Sequence, residues 1–198
     1  ENNRQKEEEF KEINRLSKEI ASLYEHTWYN NDSKYILHIG ATNSGKTYES
    51  IHRLKQAKRG QYLAPLRLLA HEIYEDLNND NIGCNLFTGE EIIDNGFNIS
   101  SRIIEMADYN NHYDVVIIDE CFMISDADRG KGWLNAIMNI KSDEIHIILN
   151  LESEKLITDI LEKTNKDFII NRYERKVPLV MGQNFLSATK GHMKMEKT

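Results

Sequence analysis

The 198-residue sequence has few cysteines, no long apolar segment and no excess of positive charge. Its two cysteines, Cys84 and Cys121, are far apart and form no C-x-x-C pattern, so neither a disulfide framework nor a zinc knuckle is expected. No apolar run approaches the ~20 residues that span a bilayer, which predicts a soluble chain with no membrane partner. The net charge of −7 excludes broad, charge-driven binding to nucleic acid, so any such contact must be local.

Two further absences concern metals and location. The seven histidines show no H-x-x-x-H spacing, and no zinc site is expected. The opening residues mix acidic and basic side chains, which suits neither a secretory signal nor an acid-poor transit peptide. A cytoplasm of the bacterial type is therefore the favoured location.

The two ends of the chain differ in character from its middle. Apolar side chains recur at steps of three and four in residues 1–30, which predicts an amphipathic N-terminal helix docked on this domain or on a neighbouring one. Residues 172–198 are expected to be an exit linker followed by an unstructured or vector-derived tail, because Gly191-His192-Met193 resembles a cloning scar.

Between residues 33 and 171, short apolar segments alternate with helical patterns of about a dozen residues. Such alternation is typical of βαβ units and predicts an α/β fold with a mainly parallel sheet of about six to seven strands flanked by helices. The clearest buried strand is Val115–Ile118, a run of four β-branched residues.

A phosphate-binding loop, the Walker A motif G-x-x-x-x-G-K-[ST], follows the apolar segment Tyr35–Ile39 and precedes a predicted helix. Backbone N–H groups of such a loop cradle phosphates, and the helix adds its positive N-terminal end. Lys46 is expected to reach the β- and γ-phosphates, and the Thr47 hydroxyl to bind Mg²⁺. The predicted ATP-binding residues are Gly40, Ala41, Thr42, Asn43, Ser44, Gly45, Lys46 and Thr47.

Two adjacent carboxylates, Asp119 and Glu120, end the β-branched strand. They would repel each other without a cation, which predicts that Asp119 holds Mg²⁺ through water. Glu120 can then orient or deprotonate the attacking water, an arrangement typical of a hydrolase. Lys46, Asp119 and Glu120 are the predicted catalytic residues.

Seven blocks in the order of the chain resemble the ATP-dependent RNA helicase of the mitochondrial degradosome and its bacterial relatives. Together they cover roughly residues 35 to 180. The blocks are the phosphate loop with Tyr48, Tyr62–Ala70, Cys84–Glu91, Ile104–Met106, Val116–Glu120, Asp128–Gly130 with Trp133, and Glu144–His146.

The resemblance implies a superfamily 2 helicase, in which two RecA-like domains clamp ATP and move along single-stranded RNA. This chain is then the first RecA-like domain, and the second is absent. The residues that match backbone-contacting loops of such helicases are Pro65, Leu66, Arg67, Thr88 and Gly89. DNA or a hybrid as substrate, an exoribonuclease as partner and the mitochondrial matrix as location are left open by the resemblance.

One departure from the family pattern follows the Asp-Glu pair. The family has Ile-Gln where this chain has Cys121 and Phe122, and a phenyl ring cannot form the hydrogen bonds of an amide. Two alternatives therefore stay open. A nucleoside kinase of the thymidine kinase type also carries an aromatic residue after its Asp-Glu pair, but its four-cysteine zinc lobe is missing. A nucleotide-gated, non-catalytic scaffold is the other.

Overall fold

An eight-stranded sheet organises the structure, a computed structural model that describes residues 32–41 and 44–174. The strands are β1 (Lys34–Gly40), β2 (Gly60–Ala64), β3 (Cys84–Phe87), β4 (Ile92–Ile93), β5 (Ile99–Ile103), β6 (His112–Ile118), β7 (Lys141–Leu149) and β8 (Phe168–Tyr173). Their order across the sheet is β4-β3-β5-β2-β6-β7-β1-β8, and every pairing is parallel except that of β3 with β4.

Four helices connect the strands, together with two 3₁₀ turns. The helices are α1 (Lys46–Leu54), α2 (Arg67–Asn79), α3 (Gly130–Asn139) and α4 (Glu154–Lys163), and the turns are Ile104–Met106 and Cys121–Ser125. The α/β class with a mainly parallel sheet is confirmed. The additional strand is β4, whose two residues are too few to give an apolar pattern.

Helices cover both faces of the sheet and bury a core on each. On one face, α3 and α4 pack against side chains that include Leu37, Leu63 and Ile118. On the other face, Leu54 of α1 lies in a cluster with Tyr62 and Ile117. Strand β6 is thus buried on both sides, which explains its uninterrupted β-branched sequence.

The parallel strands bring the predicted motifs to one edge of the sheet. Strands β1, β2 and β6 run in the same direction and end at Gly40, Ala64 and Ile118. The loops after them carry the phosphate-binding motif, the Pro65 segment and the Asp119-Glu120 pair. In open parallel sheets, ligands bind at this carboxyl edge.

The end of the domain lies further along the chain than the sequence suggested. Strand β8 continues to Tyr173, so Arg172 and Tyr173 belong to the sheet rather than to the predicted exit linker. The predicted helix over residues 1–30 and the tail from residue 175 onward lie outside the described residues. Within residues 32–41 and 44–174, no helix has the length and apolar character needed to cross a membrane.

Candidate functional site

The phosphate-binding loop requires glycine at two positions. Gly45 has a φ of 94°, in the left-handed region that favours glycine, and immediately precedes α1. A Cβ on Gly40 would lie 2.5 Å from the carbonyl oxygen of Tyr173. Strand β8 therefore packs directly against the start of the loop. Of the predicted loop residues, Thr42 and Asn43 lie outside the described residues.

Lys46 turns back over the loop from the first position of α1. Its Nζ donates hydrogen bonds to the carbonyl oxygens of Gly40, at 2.5 Å, and Ala41, at 3.3 Å. Burial lowers the pKa of the Lys46 ammonium, while the nearby Glu120 and Asp119 carboxylates oppose that shift. The ammonium group is thus already placed above the loop, beside the two carboxylates.

The remaining polar groups of the loop fit a phosphate group. Ser44 is buried, and within the described part of the chain its Oγ has no hydrogen-bond partner. An unpaired buried hydroxyl is costly unless a ligand satisfies it. The N-terminus of α1 also has no side-chain cap, which leaves its first N–H groups for an anion. Thr47, the second residue of α1, is half-buried at the same end of the helix.

Asp119 is fixed by contacts from two neighbouring elements, β2 and α3, and from the next residue along the chain. Its Oδ2 accepts a hydrogen bond from the Tyr62 hydroxyl at 2.5 Å, and its Oδ1 accepts one from the Glu120 N–H at 2.8 Å. Its backbone N–H donates to the Leu63 carbonyl at 3.0 Å, and its carbonyl accepts from the Trp133 indole at 3.0 Å. Burial raises the pKa of the Asp119 carboxyl, and the hydrogen bonds from Tyr62 and Glu120 oppose the rise.

Glu120 adopts an uncommon backbone conformation. Its φ of 47° and ψ of 48° place it in the left-handed region, which costs a non-glycine residue of the order of 1 kcal/mol. Burial raises the pKa of the Glu120 carboxyl, Asp119 adds to the rise, and Lys46 opposes it. The structure thus brings Lys46, Asp119 and Glu120 into one electrostatic cluster.

A groove of about 550 Å³ lies at the same edge of the sheet, after the end of β2. The predicted nucleic-acid residues Pro65, Leu66 and Arg67 line it. Arg67, the first residue of α2, forms an ion pair with Glu90, which joins the start of this helix to the loop after β3. The remaining lining residues are Leu68, Ile103, Glu105 and Arg129.

The two predicted residues of the second loop differ in their environment. Thr88 is buried, and its hydroxyl donates to the Glu91 carbonyl at 3.1 Å and accepts from the Glu91 N–H at 3.0 Å. Its side chain therefore closes a turn. Gly89 is exposed, with open space around it.

Arg129 and Trp133 connect the groove to the carboxylate cluster, and sequence reasoning assigned neither a role. Arg129 donates to the Pro65 carbonyl at 2.6 Å and to Glu105 Oε1 at 2.8 Å. The Trp133 indole, one helical turn further along, holds the Asp119 carbonyl. Both residues lie in the sequence blocks that carry the family resemblance. The residues that they contact, however, depend on the order of the strands in the sheet, which the sequence does not give.

A parallel sheet with a phosphate-binding loop after β1, an Asp-Glu pair after β6 and a groove at the same edge defines a RecA-like P-loop domain of the helicase class. Residues 21–173 match the family model described as the DEXQ-box helicase domain of Suv3, and the chain belongs to that family.

Curated relatives agree with this assignment. The chain is 43% identical over 146 residues to the "ATP-dependent RNA helicase SUV3, mitochondrial" of Saccharomyces cerevisiae, covering 71% of this chain and 20% of the relative. It is 41% identical over 160 residues to the "DExH-box ATP-dependent RNA helicase DExH16, mitochondrial" of Arabidopsis thaliana, covering 78% and 28%. It is 40% identical over 153 residues to the "ATP-dependent RNA helicase SUPV3L1, mitochondrial" of Gallus gallus, covering 75% and 19%. The resemblance inferred from the seven blocks is confirmed, and the chain spans between 19% and 28% of the length of these relatives.

The fourth position of the DEXQ box differs in this chain. Phe122 stands where the family description has Gln. It lies in the 3₁₀ turn after Glu120, and 37% of its surface is exposed. The position therefore presents an apolar ring to solvent in place of an amide.

Proposed function

We propose that the chain is the first RecA-like domain of an ATP-dependent RNA helicase, which couples ATP hydrolysis to movement along RNA or to its unwinding. One observation carries the proposal: Lys46, Asp119 and Glu120 meet at the phosphate-binding loop, on the same sheet edge as the Pro65 groove. Full activity requires a second RecA-like domain.

The residues of the site have distinct proposed roles. The loop Gly40–Thr47 holds the phosphates of ATP, with Lys46 at the β- and γ-phosphates and the Ser44 hydroxyl as a further donor. Thr47 and Asp119 hold Mg²⁺, which when bound neutralises charge on the phosphate oxygens. Glu120 orients the attacking water and accepts its proton, and the raised pKa of its carboxyl suits a general base.

The proposed nucleic-acid surface consists of Pro65, Leu66 and Arg67 with Thr88 and Gly89. Arg67 is the proposed positive charge for a phosphate, which would replace its exposed ion pair with Glu90, and exposed Gly89 permits close approach of a backbone. Contacts of this kind position a strand without reading its sequence. Single-stranded RNA is the proposed substrate, because the matched relatives are named RNA helicases.

Location and partners are proposed from the relatives. All three helicases named above are described as mitochondrial, which favours the mitochondrial matrix. The comparisons give no support to the bacterial-type cytoplasm favoured by composition. An exoribonuclease is the proposed partner, because the resemblance is to a degradosome helicase.

Nucleotide binding tests the proposal directly. A fluorescent ADP analogue with Mg²⁺ is titrated into the 198-residue chain, its Lys46→Ala variant and a Lys58→Ala control. Lys58 lies outside the site, so its loss should leave affinity unchanged. Removal of the Lys46 ammonium should weaken binding roughly 10- to 100-fold, as expected for a hydrogen bond to a charged group. Equal affinity of all three proteins contradicts the assigned site.

Turnover separates the proposed function from its alternatives. The isolated chain should hydrolyse ATP at a barely detectable rate, because an arginine supplied by a partner domain contributes roughly 10³- to 10⁵-fold. Rapid RNA-stimulated hydrolysis by this chain alone would show that the second domain is unnecessary. Transfer of phosphate from ATP to thymidine would instead support the kinase alternative, which the family match does not favour.

A further inference from the structure

We propose that Tyr62 is a positioning residue that holds the Asp119 carboxylate in the orientation needed for Mg²⁺. The inference rests on the proposed function of the site. It adds a residue that lies outside both the phosphate-binding loop and the Asp-Glu pair.

The contact is short and deeply buried. The Tyr62 hydroxyl donates to Asp119 Oδ2 at 2.5 Å, and 1% of Tyr62 and 5% of Asp119 are exposed. Tyr62 pairs with Ile117 across the β2–β6 ladder, two residues before Asp119. Its ring lies in the apolar cluster that contains Leu54 and Ala70, so the hydroxyl is a polar end on an otherwise apolar side chain.

The two donors on Asp119 fix the carboxylate without saturating it. Tyr62 binds Oδ2, and the Glu120 N–H binds Oδ1 at 2.8 Å. An ionised carboxylate has about four acceptor sites, which leaves one on each oxygen for metal-bound water. The terminal torsion of aspartate is otherwise broad. Without the hydroxyl, only Oδ1 is restrained, and the carboxylate can rotate away from the metal position.

A purely structural role for the hydroxyl is the competing explanation, and Tyr35 provides the matched control. Tyr35 is also fully buried, and its hydroxyl donates to the Ile137 carbonyl at 2.8 Å. It lies in the cluster on the opposite face of the sheet, away from Asp119. Tyr35→Phe and Tyr62→Phe thus each remove one hydroxyl from a buried tyrosine. Because both keep the ring, both variants retain the packing of the fold.

The measurement is the gain in affinity for a fluorescent ADP analogue on replacing EDTA by Mg²⁺, with the 198-residue chain. Tyr62→Phe should lower that gain by about fivefold, or about 1 kcal/mol, and leave the affinity in EDTA unchanged. Tyr35→Phe should leave the gain unchanged. Urea unfolding of both variants reports any common loss of stability.

A double-mutant cycle tests whether Tyr62 acts through Asp119. In an Asp119→Asn background, Tyr62→Phe should have no further effect on the Mg²⁺-dependent gain in affinity. If the two substitutions instead lower this gain independently and additively, the inference is overturned. An unchanged gain in Tyr62→Phe, or wild-type binding that does not depend on Mg²⁺, also overturns it. A wild-type chain that binds no nucleotide overturns the proposed function itself, and this role with it.

Discussion

A chain of hydrogen bonds centred on the buried His38 and His146 makes the stability of the domain sensitive to acid. His38 of β1 contacts the Tyr173 hydroxyl at 2.7 Å and His146 at 2.8 Å. Tyr173 donates to Glu49 of α1 at 2.7 Å, and His146 lies 3.3 Å from Glu144. The chain thus joins β8, β1, β7 and the helix that begins at the phosphate site.

Burial keeps His38 neutral, and the bond to Tyr173 fixes its tautomer. With Tyr173 donating to Glu49, its oxygen accepts from His38 Nδ1–H, so neutral His38 accepts from His146 at Nε2. In this arrangement neutral His146 carries its proton on Nδ1 and has none for Glu144. Burial, reinforced by His146, lowers the pKa of His38 to about 4, and Glu49 opposes the shift.

Acid should therefore destabilise the fold through His38. The unfolded chain binds a proton on His38 near its ordinary pKa of 6.5, whereas the folded domain binds it near 4, so stabilisation present above pH 6.5 is lost as the pH falls toward 4. The difference corresponds to about 3 kcal/mol for one proton. His146 adds in the same direction, because burial also lowers its pKa.

Urea unfolding followed by circular dichroism, from about pH 7 to about pH 4.5, measures this loss. His38→Gln should be less stable at neutral pH. Its free energy of unfolding should fall less steeply with acid than that of the wild type, because unfolding takes up about one proton fewer. Parallel profiles for the wild type and His38→Gln would refute the reasoning.

Three other changes probe contacts at the site and packing in the core. Trp133→Phe removes the indole donor to the Asp119 carbonyl and part of a fully buried ring, and should lower the free energy of unfolding by about 2 kcal/mol. Gly60→Ala would place a Cβ 2.4 Å from Leu54 Cδ1, and the overpacking should cost about 1–3 kcal/mol. Urea unfolding measures both. Phe122→Gln should change stability by less than about 0.5 kcal/mol, but should raise RNA-stimulated hydrolysis in a protein that also carries the second domain.

Each of these changes has its own control or contrary result. Gly89→Ala adds a methyl group where nothing lies within 4 Å, so it should leave stability unchanged while Gly60→Ala lowers it. Wild-type stability in Trp133→Phe would mean that the indole bond contributes nothing. Equal hydrolysis with Phe or Gln at position 122 would show that the phenyl ring is tolerated without loss of coupling.

Sequence reasoning located the parts of the site that are local in the chain. The phosphate loop and the Asp119-Glu120 pair were found because residue types and short spacings dictate their chemistry. The buried strand β6 was found because a run of β-branched residues suits a strand covered on both faces. Helix α3 gave no comparable amphipathic pattern, because two of its first three residues are glycine and most of its sides are buried.

Contacts between distant segments could not be predicted in the same way. Tyr62 and Asp119 are 57 residues apart, and they meet because β2 lies beside β6 in the sheet. Alternation along β2 would place Tyr62 and Ala64 on one face of the sheet, but no sequence pattern indicates which strand lies beside β2. The bond from Arg129 to the Pro65 carbonyl is equally non-local.

The fixed position of Asp119 bears on why this domain alone should turn over slowly. Its side chain is held by Tyr62 and the Glu120 N–H, and its carbonyl by Trp133. Arg129, four residues before Trp133, donates to the Pro65 carbonyl, so one segment contacts both the Asp119 backbone and the Pro65 groove. Among the described residues, contacts within this domain alone therefore hold these groups in place. Under the proposed function, slow turnover of the isolated chain is expected to reflect the missing groups of a partner domain, and movement on RNA to reflect displacement of that domain relative to this edge.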